Sequence, residues 1–210
     1  MSKIDTSTYK QIKKERKLKN KKYYDKGEYG HSKRYKNIRM AFTLVLFMLI
    51  LTDVVFSLII FQTRKTLFVI IGCVMAIPFA RNLIDFFMAL KADPLSKEEY
   101  EKVDALSKET GRKFLYDITI TETEGVVYIP ALAIYNNNII AYTPKVTKPK
   151  DREKIKDYIN EVNSEDDNYR IFVTEKFATF SKEIGKLRDA SSETLERDEY
   201  ITLKLLSMGF

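Results

Sequence analysis

Two long apolar segments near the start of the chain dominate its hydrophobic pattern. Residues Ala41 to Phe61 include 17 apolar residues out of 21, and residues Leu67 to Leu90 include 19 out of 24. A helix needs about 20 apolar residues to cross the hydrocarbon core of a bilayer. The pattern predicts a helical hairpin over residues 40–92 with transmembrane spans at about 41–61 and 67–90. The alternative is that the second segment is a buried core helix, which would leave a single span.

Shorter periodic patterns follow over residues 93–210. Ser96 to Glu99 has the spacing of a capping box, and the helix that it begins is expected to end near Gly111. Val126 to Tyr135 is apolar on both faces, as in a central strand, although Pro130 indicates a bend, and Asn136-Asn137-Asn138 predicts a turn into the next strand. The predicted order is helix, three-strand meander, helix, strand, helix, helix. This is an α+β domain with a three- to four-stranded, mainly antiparallel sheet and flanking helices. The last segment, Tyr200 to Met208, fits a buried helix or a strand.

The predicted order of elements is similar to the core of metal-dependent restriction-type nucleases, in topology alone. The resemblance implies a hard cation held by acids, and Asp117, Glu122 and Glu124 on the first strand and its turn have suitable oxygens. The next strand lacks the acid and lysine, two residues apart, that such a nuclease carries. We therefore interpret the three acids as solvated strand and turn residues.

The residue types in the chain exclude several kinds of site. Cys73 and His31 are the only cysteine and histidine, which excludes an internal disulfide and, in the C-terminal domain, His-based zinc sites, Cys-His dyads and Ser-His-Asp triads. No glycine-rich phosphate loop occurs. We predict no catalytic residue, no metal site and no cofactor.

The net charge of +7 is concentrated in residues 1–39, which carry 14 Lys or Arg and 4 acids. With few aliphatic residues, this segment is predicted to be a largely disordered tail. Its position next to a span favours contact with anionic lipid headgroups or phosphate. The alternative is nucleic-acid binding, because tyrosines are interleaved with the basic residues. The predicted contact residues are Lys13, Lys14, Arg16, Lys17, Lys19, Lys21, Lys22, Lys33, Arg34, Lys36 and Arg39.

Three charged residues lie inside the predicted spans: Asp53 in the first, and Arg81 and Asp85 in the second. A charge at membrane depth is costly unless it is paired or hydrated, so we predict that Asp53 and Arg81 form an ion pair that locks the hairpin. Pro78 precedes Arg81 in the same span and is expected to kink the helix or end it.

The distribution of Lys and Arg also predicts orientation, because cytoplasmic flanks keep positive charge. The tail is rich in both, whereas the segment between the spans has only Arg64 and Lys65, so both termini should be cytoplasmic. Plentiful Lys, Ile and Asn are typical of an AT-rich bacterium, which suggests a bacterial plasma membrane. We expect a scaffold or accessory subunit that binds a protein partner or forms a homo-oligomer. The alternative function is a membrane-tethered nucleic-acid-binding or degenerate nuclease-like protein.

Overall fold

The structure is a computed structural model that describes residues 10, 14, 26–61, 67–122, 125–162 and 169–209. Within those residues the chain forms two compact units. One unit is Ser32–Ala92, and the other joins residues 26–31 to residues 93–209. A short piece of the predicted basic tail therefore belongs to the C-terminal domain.

Two long helices make up the Ser32–Ala92 unit: α1 (His31–Phe61) and α2 (Leu67–Leu90). Helix α2 continues through Pro78, so the proline does not end it. Only 11% of the most apolar stretch of α1 and 6% of that of α2 are buried, which excludes the alternative that α2 is a core helix of this structure. Both helices are long and apolar enough to cross a membrane.

The second unit is an α+β domain, and within the described residues the whole chain has six helices and four strands. The elements of the domain, in chain order, are α3 (Lys97–Thr110), β1 (Phe114–Glu122), β2 (Gly125–Tyr135), β3 (Asn138–Tyr142), α4 (Pro149–Val162), β4 (Arg170–Thr174), α5 (Phe177–Gly185) and α6 (Ser192–Met208). The C-terminal segment is thus a helix rather than a strand.

The four strands form one mixed sheet in the order β1-β2-β3-β4. The first three strands are antiparallel neighbours, as the predicted meander requires, whereas β3 and β4 are parallel. A parallel pair needs a crossover connection, and α4 supplies it between β3 and β4. The prediction of a mainly antiparallel sheet therefore holds for two of the three strand pairs.

Local sequence signals place several element boundaries. The Ser96 hydroxyl accepts from the Glu99 amide while the Glu99 carboxylate accepts from the Ser96 amide, which forms the predicted capping box of α3. Gly111 ends that helix with φ of 65°, a left-handed conformation that glycine adopts without steric cost. Asn136 and Asn137, both at positive φ, form the predicted turn between β2 and β3.

The sheet is covered on both sides, which produces two hydrophobic clusters. Face A packs against α4 and α6, through residues such as Ile155, Ile159, Ile201 and Leu205. Face B packs against α3 and α5, where Val103, Leu106, Phe180 and Ile184 are buried. Burial on both sides explains why the central strand is apolar on both faces.

Strand β1 changes its facing direction at Asp117. Leu115 lies on face A and Tyr116 lies on face B, as strand alternation predicts. Strict alternation would place Ile118 on the same face as Tyr116, but Ile118 lies on face A. Asp117 adopts φ of 53°, a left-handed conformation that interrupts the alternation of side chains.

Strand β2 pairs with β1 and changes its facing direction in the same way at Pro130, between the pairs that flank Asp117. Ile129 lies on face A, and Ala131 lies on face B. The register is unbroken, because Tyr116 pairs with Ala131 and Ile118 pairs with Ile129 on either side. The two strands therefore kink together at one level, and the predicted bend at Pro130 involves both.

Candidate functional site

Five of the eleven basic residues predicted to meet lipid lie among the described residues. Lys33, Arg34, Lys36 and Arg39 lie in the first turns of α1, where Lys33 and Arg34 are exposed and the other two are half-buried. Lys14 is also exposed. The remaining residues of the predicted set lie outside the described part of the chain: Lys13, Arg16, Lys17, Lys19, Lys21 and Lys22.

Arg39 is the polar centre at one end of the helical hairpin. Its guanidinium lies 3.2 Å from a carboxylate oxygen of Asp85 and donates to the side-chain oxygen of Asn82 at 2.8 Å. It also lies 4.9 Å from the centre of the Tyr35 ring. Asp85 on α2 thus has a cationic partner, Arg39, on α1.

The contacts between α1 and α2 define how the two helices align. Arg39 is level with Asp85, and Phe47 is level with Phe79, with ring centres 6.0 Å apart. Further along, Asp53 is level with Gly72, where an added Cβ would lie 2.8 Å from Asp53 Oδ2.

This alignment separates Asp53 from Arg81, and the two residues make no ion pair. Arg81 is nine residues beyond Gly72, about 14 Å along the helix axis at a rise of about 1.5 Å per residue. Asp53 Oδ2 is buried with no hydrogen-bond partner among the described residues, whereas Arg81 is exposed. The predicted pair required Asp53 and Arg81 to lie at a similar depth, whereas the Arg39–Asp85 contact sets a different alignment of the two helices.

Asp117 is a buried polar node that the sequence interpretation missed. Its side chain is 2% exposed, so the prediction of a solvated strand residue is wrong for Asp117. Oδ2 accepts from the Gly30 amide at 2.8 Å, and Oδ1 accepts from the Tyr128 hydroxyl. Glu122 is the last residue of β1, and Glu124 lies outside the described residues.

Residues 26–30, which we call the edge segment, lie along β1. The Tyr116 amide donates to the Gly27 carbonyl at 2.9 Å, and the Lys26 ammonium donates to the Gly209 carbonyl after α6. Gly27 and Gly30 have φ of 88° and 86°, which a side chain would disfavour. These two glycines within a lysine-rich tail were the available signal that the segment is ordered.

Asp198 is a second buried carboxylate, and it holds the turn between β2 and β3. It accepts from the Asn136 amide at 2.6 Å, the Asn137 amide at 3.3 Å and the Tyr169 hydroxyl at 2.9 Å. Burial raises the pKa of Asp198, and these hydrogen bonds oppose that shift. Its neighbours are backbone amides and a phenol, so its role is to connect α6 to the sheet.

The described residues contain no group of three or more His, Cys, Asp or Glu arranged to hold a metal ion. Asp117 and Asp198 are each bound by donors of the protein itself.

A groove of about 210 Å³ lies on face B where β4 meets the end of α5. Its floor is apolar, with Ile140, Phe172 and Leu187, and its walls carry three cations, Arg170, Lys186 and Arg188, and one carboxylate, Glu183.

Glu183 is the anionic member of the groove and is 9% exposed. It pairs with Arg170 at 3.4 Å and with Lys186. The hydrogen bond from Lys186 lowers the pKa of Glu183. Arg188 makes no ion pair among the described residues, so the groove keeps an excess of positive charge.

Comparisons of the chain with protein-family models, with curated proteins and with solved structures find no match.

Proposed function

We propose that this chain is a two-pass integral membrane protein of a bacterial plasma membrane, and that its α+β domain is a non-catalytic scaffold or accessory subunit. The observation that carries the proposal is the exposure of apolar side chains along both long helices. Leu44, Ile59 and Ile77 are 60%, 71% and 73% exposed. Contiguous apolar surface of this kind is rare on soluble proteins, and a bilayer is the environment that covers it at least cost.

The orientation follows from charge at one end of the hairpin. Lys33, Arg34 and Lys36 precede the apolar part of α1, and the Arg39–Asp85 contact makes this end of α1 level with the last turns of α2. Arg81 lies at the same end. Positive residues are retained on the cytoplasmic side, so both termini and the α+β domain are cytoplasmic in this proposal.

The exposed cations of α1 are placed to bind anionic lipid headgroups. Lys33 and Arg34 project from the helix end just before its apolar stretch. Each basic residue near an anionic surface contributes about 1 kcal/mol of attraction. Lipid contact is therefore the proposed role of this end of α1, and Arg39 additionally fixes the hairpin through Asp85.

The bonding of the buried carboxylates favours a binding role for the α+β domain over a catalytic one. Among its described buried carboxylates, Glu183 is ion-paired with Arg170 and Lys186. Asp117 and Asp198 accept hydrogen bonds from backbone amides and tyrosine hydroxyls of the domain itself. A general base or metal ligand needs free oxygens in a cleft. These oxygens instead support a kinked strand and a turn.

Two measurements test the proposal. Alkaline carbonate extraction of membranes from the native host should leave the full chain in the pellet, as expected for a protein with spanning helices. Gentle detergent purification of the tagged chain should then yield a near-stoichiometric protein partner. Release by carbonate would contradict the membrane proposal, and nuclease-sensitive absorbance at 260 nm without a partner would favour nucleic-acid binding.

A further inference from the structure

In the part of the chain that the structure describes, the outer edge of strand β4 has no partner strand. In the parallel pair, the Arg170 amide donates to the Asn137 carbonyl and the Thr174 carbonyl accepts from the Thr143 amide. Alternate residues of a strand direct their backbone groups to opposite sides. The N–H and C=O groups of Ile171 and Val173 therefore point away from β3, and no described residue pairs with them.

The other edge of the same sheet is covered. Along β1, the edge segment bonds to Tyr116 and Asp117, and the end of α6 reaches Thr119 and Thr121. The Thr121 hydroxyl donates to the Met208 carbonyl at 2.6 Å, and Gly209 packs directly on the Thr119 carbonyl. Natural proteins generally block sheet edges, so the contrast between the two edges singles out β4.

The open edge lies beside the basic groove. Arg170 and Phe172 of β4 both line the groove on face B, and the Arg170 side chain is 66% exposed. Lys186 and Arg188 follow α5 on the same side, against the single carboxylate of Glu183. A strand added to β4 would place every second side chain on face B, next to these cations.

We propose that an extended acidic segment of a partner protein adds to β4 as a fifth strand of the sheet, with its acidic side chains directed at Arg170, Lys186 and Arg188. Backbone hydrogen bonds to Ile171 and Val173 supply affinity, and the alternating acidic side chains supply specificity. The inference rests on the proposed function, because it names the class of partner that the cytoplasmic scaffold domain binds.

Charge favours a different protein over a second copy of this chain as the occupant. Pairing of two β4 edges would bring two basic grooves close together, and like charges across an interface are costly. An acidic strand instead meets the excess positive charge left after Glu183 is paired.

The test measures binding of a fluorescein-labelled peptide of alternating valine and glutamate to the full chain in detergent micelles, by fluorescence anisotropy. The matched probe alternates valine and lysine. We expect the glutamate peptide to bind at least about tenfold more tightly than the lysine peptide, since each 1.4 kcal/mol of difference is tenfold in affinity. Equal binding of the two peptides, or no binding of the glutamate peptide, would overturn the proposal.

Two variants and their controls locate the site. Val173→Pro removes an N–H that points outward, which a proline on an edge strand tolerates, whereas Val173→Ala keeps it. Val173→Pro should bind the glutamate peptide about tenfold more weakly than Val173→Ala, because the N–H is lost and the proline ring obstructs the edge. Equal affinity of the two variants would exclude augmentation at β4.

Charge reversal gives a second readout that does not depend on the strand backbone. Arg188→Glu should lower the affinity for the glutamate peptide about fivefold or more. Lys150→Glu, at an exposed residue at the start of α4, should change that affinity little. An equal effect of the two reversals would show long-range attraction without a site at the groove. Because Arg188 is exposed and unpaired among the described residues, its replacement leaves the fold intact even if Val173→Pro does not fold.

Two further outcomes have defined meanings. Sedimentation that shows a wild-type dimer, lost in Val173→Pro, together with no peptide binding, would assign the edge to a second copy and overturn the partner proposal. Flotation of the same chain with liposomes distinguishes failure of this inference from failure of the proposed function. A chain that floats but binds no peptide contradicts this inference alone, and a chain that does not float contradicts the proposed function.

Discussion

Replacing Asp117 by alanine removes both acceptor oxygens at the kink of β1. The Gly30 amide and the Tyr128 hydroxyl lose their acceptor in a site where Asp117 is 2% exposed. A hydrogen bond to a charged group contributes about 1.5–3 kcal/mol. Alanine at φ of 53° adds about 1 kcal/mol of backbone strain, which aspartate and asparagine reduce by local hydrogen bonding. With two such bonds lost and the strain added, we expect Asp117→Ala to destabilise the domain by roughly 4–7 kcal/mol.

The assay is urea unfolding of the full chain in detergent micelles, followed by tyrosine fluorescence, because the chain contains 13 tyrosines and no tryptophan. Asp117→Asn keeps an acceptor oxygen and a residue that tolerates positive φ, so it should cost about 1–2 kcal/mol. Asp189→Ala, at an exposed aspartate with no ion pair among the described residues, should change stability by less than about 0.5 kcal/mol.

Hydrogen exchange gives the local readout of the same substitution. Amides of the edge segment should exchange faster in Asp117→Ala, because Gly30 is held by the Asp117 carboxylate. A loss of stability no greater than that of Asp189→Ala, with unchanged exchange at residues 26–30, would refute the assignment of Asp117 as the node that holds this segment.

The groove and the hairpin give two more predictions. The lowered pKa of Glu183 means that its ion pairs stabilise the folded state above its ordinary pKa of 4.5 and cease to do so as the pH falls through the depressed pKa. The difference in unfolding free energy between wild type and Glu183→Gln should therefore be largest near neutral pH and shrink in acid; a constant difference from neutral to strongly acidic pH would contradict this. In the hairpin, Gly72→Val places a Cβ 2.8 Å from Asp53 Oδ2 and should destabilise the helix pair by about 1–3 kcal/mol, whereas Ala76→Val, at an exposed position, should not. The midpoint of thermal aggregation in detergent would be measured for these two helix variants, and equal midpoints would show that the helices do not pack at Gly72.

Elements governed by local chemistry were predictable from the sequence. The capping box at Ser96, the helix end at Gly111 and the turn at Asn136 and Asn137 each depend on a few neighbouring residues, and the structure confirms all three. The two long helices also follow from length and apolarity alone. The assignment of Tyr200 to Met208 stayed open because a helix buried along most of its surface has no clear period.

Features set by contacts between distant residues were not predictable. The alignment of α1 with α2 depends on which side chains meet across the helices, so the predicted pairing of Arg81 with Asp53 was wrong. The paired kink at Asp117 and Pro130 reverses the facing of two strands at once, which strict alternation cannot anticipate. Asp117 was interpreted as solvated because its donors, Gly30 and Tyr128, are remote or on another strand.

The parallel pairing of β4 with β3 was likewise not predictable from the residues of β4. Its apolar pattern predicted a short strand, but the crossover through α4, rather than any residue of β4, determines that it pairs in parallel with β3. The groove and the open edge follow from that pairing, so no linear motif marks them.

The most direct test of the two-pass membrane proposal is the sidedness of the hairpin in intact cells. In a Cys73→Ser background, single cysteines would be placed by Thr63→Cys between the helices and by Lys150→Cys in the domain, and both would be probed with a membrane-impermeant maleimide. We expect labelling of Thr63→Cys in intact cells and of Lys150→Cys only after lysis. Labelling of Lys150→Cys in intact cells, or protection of both positions until lysis, would contradict a two-pass protein with a cytoplasmic domain.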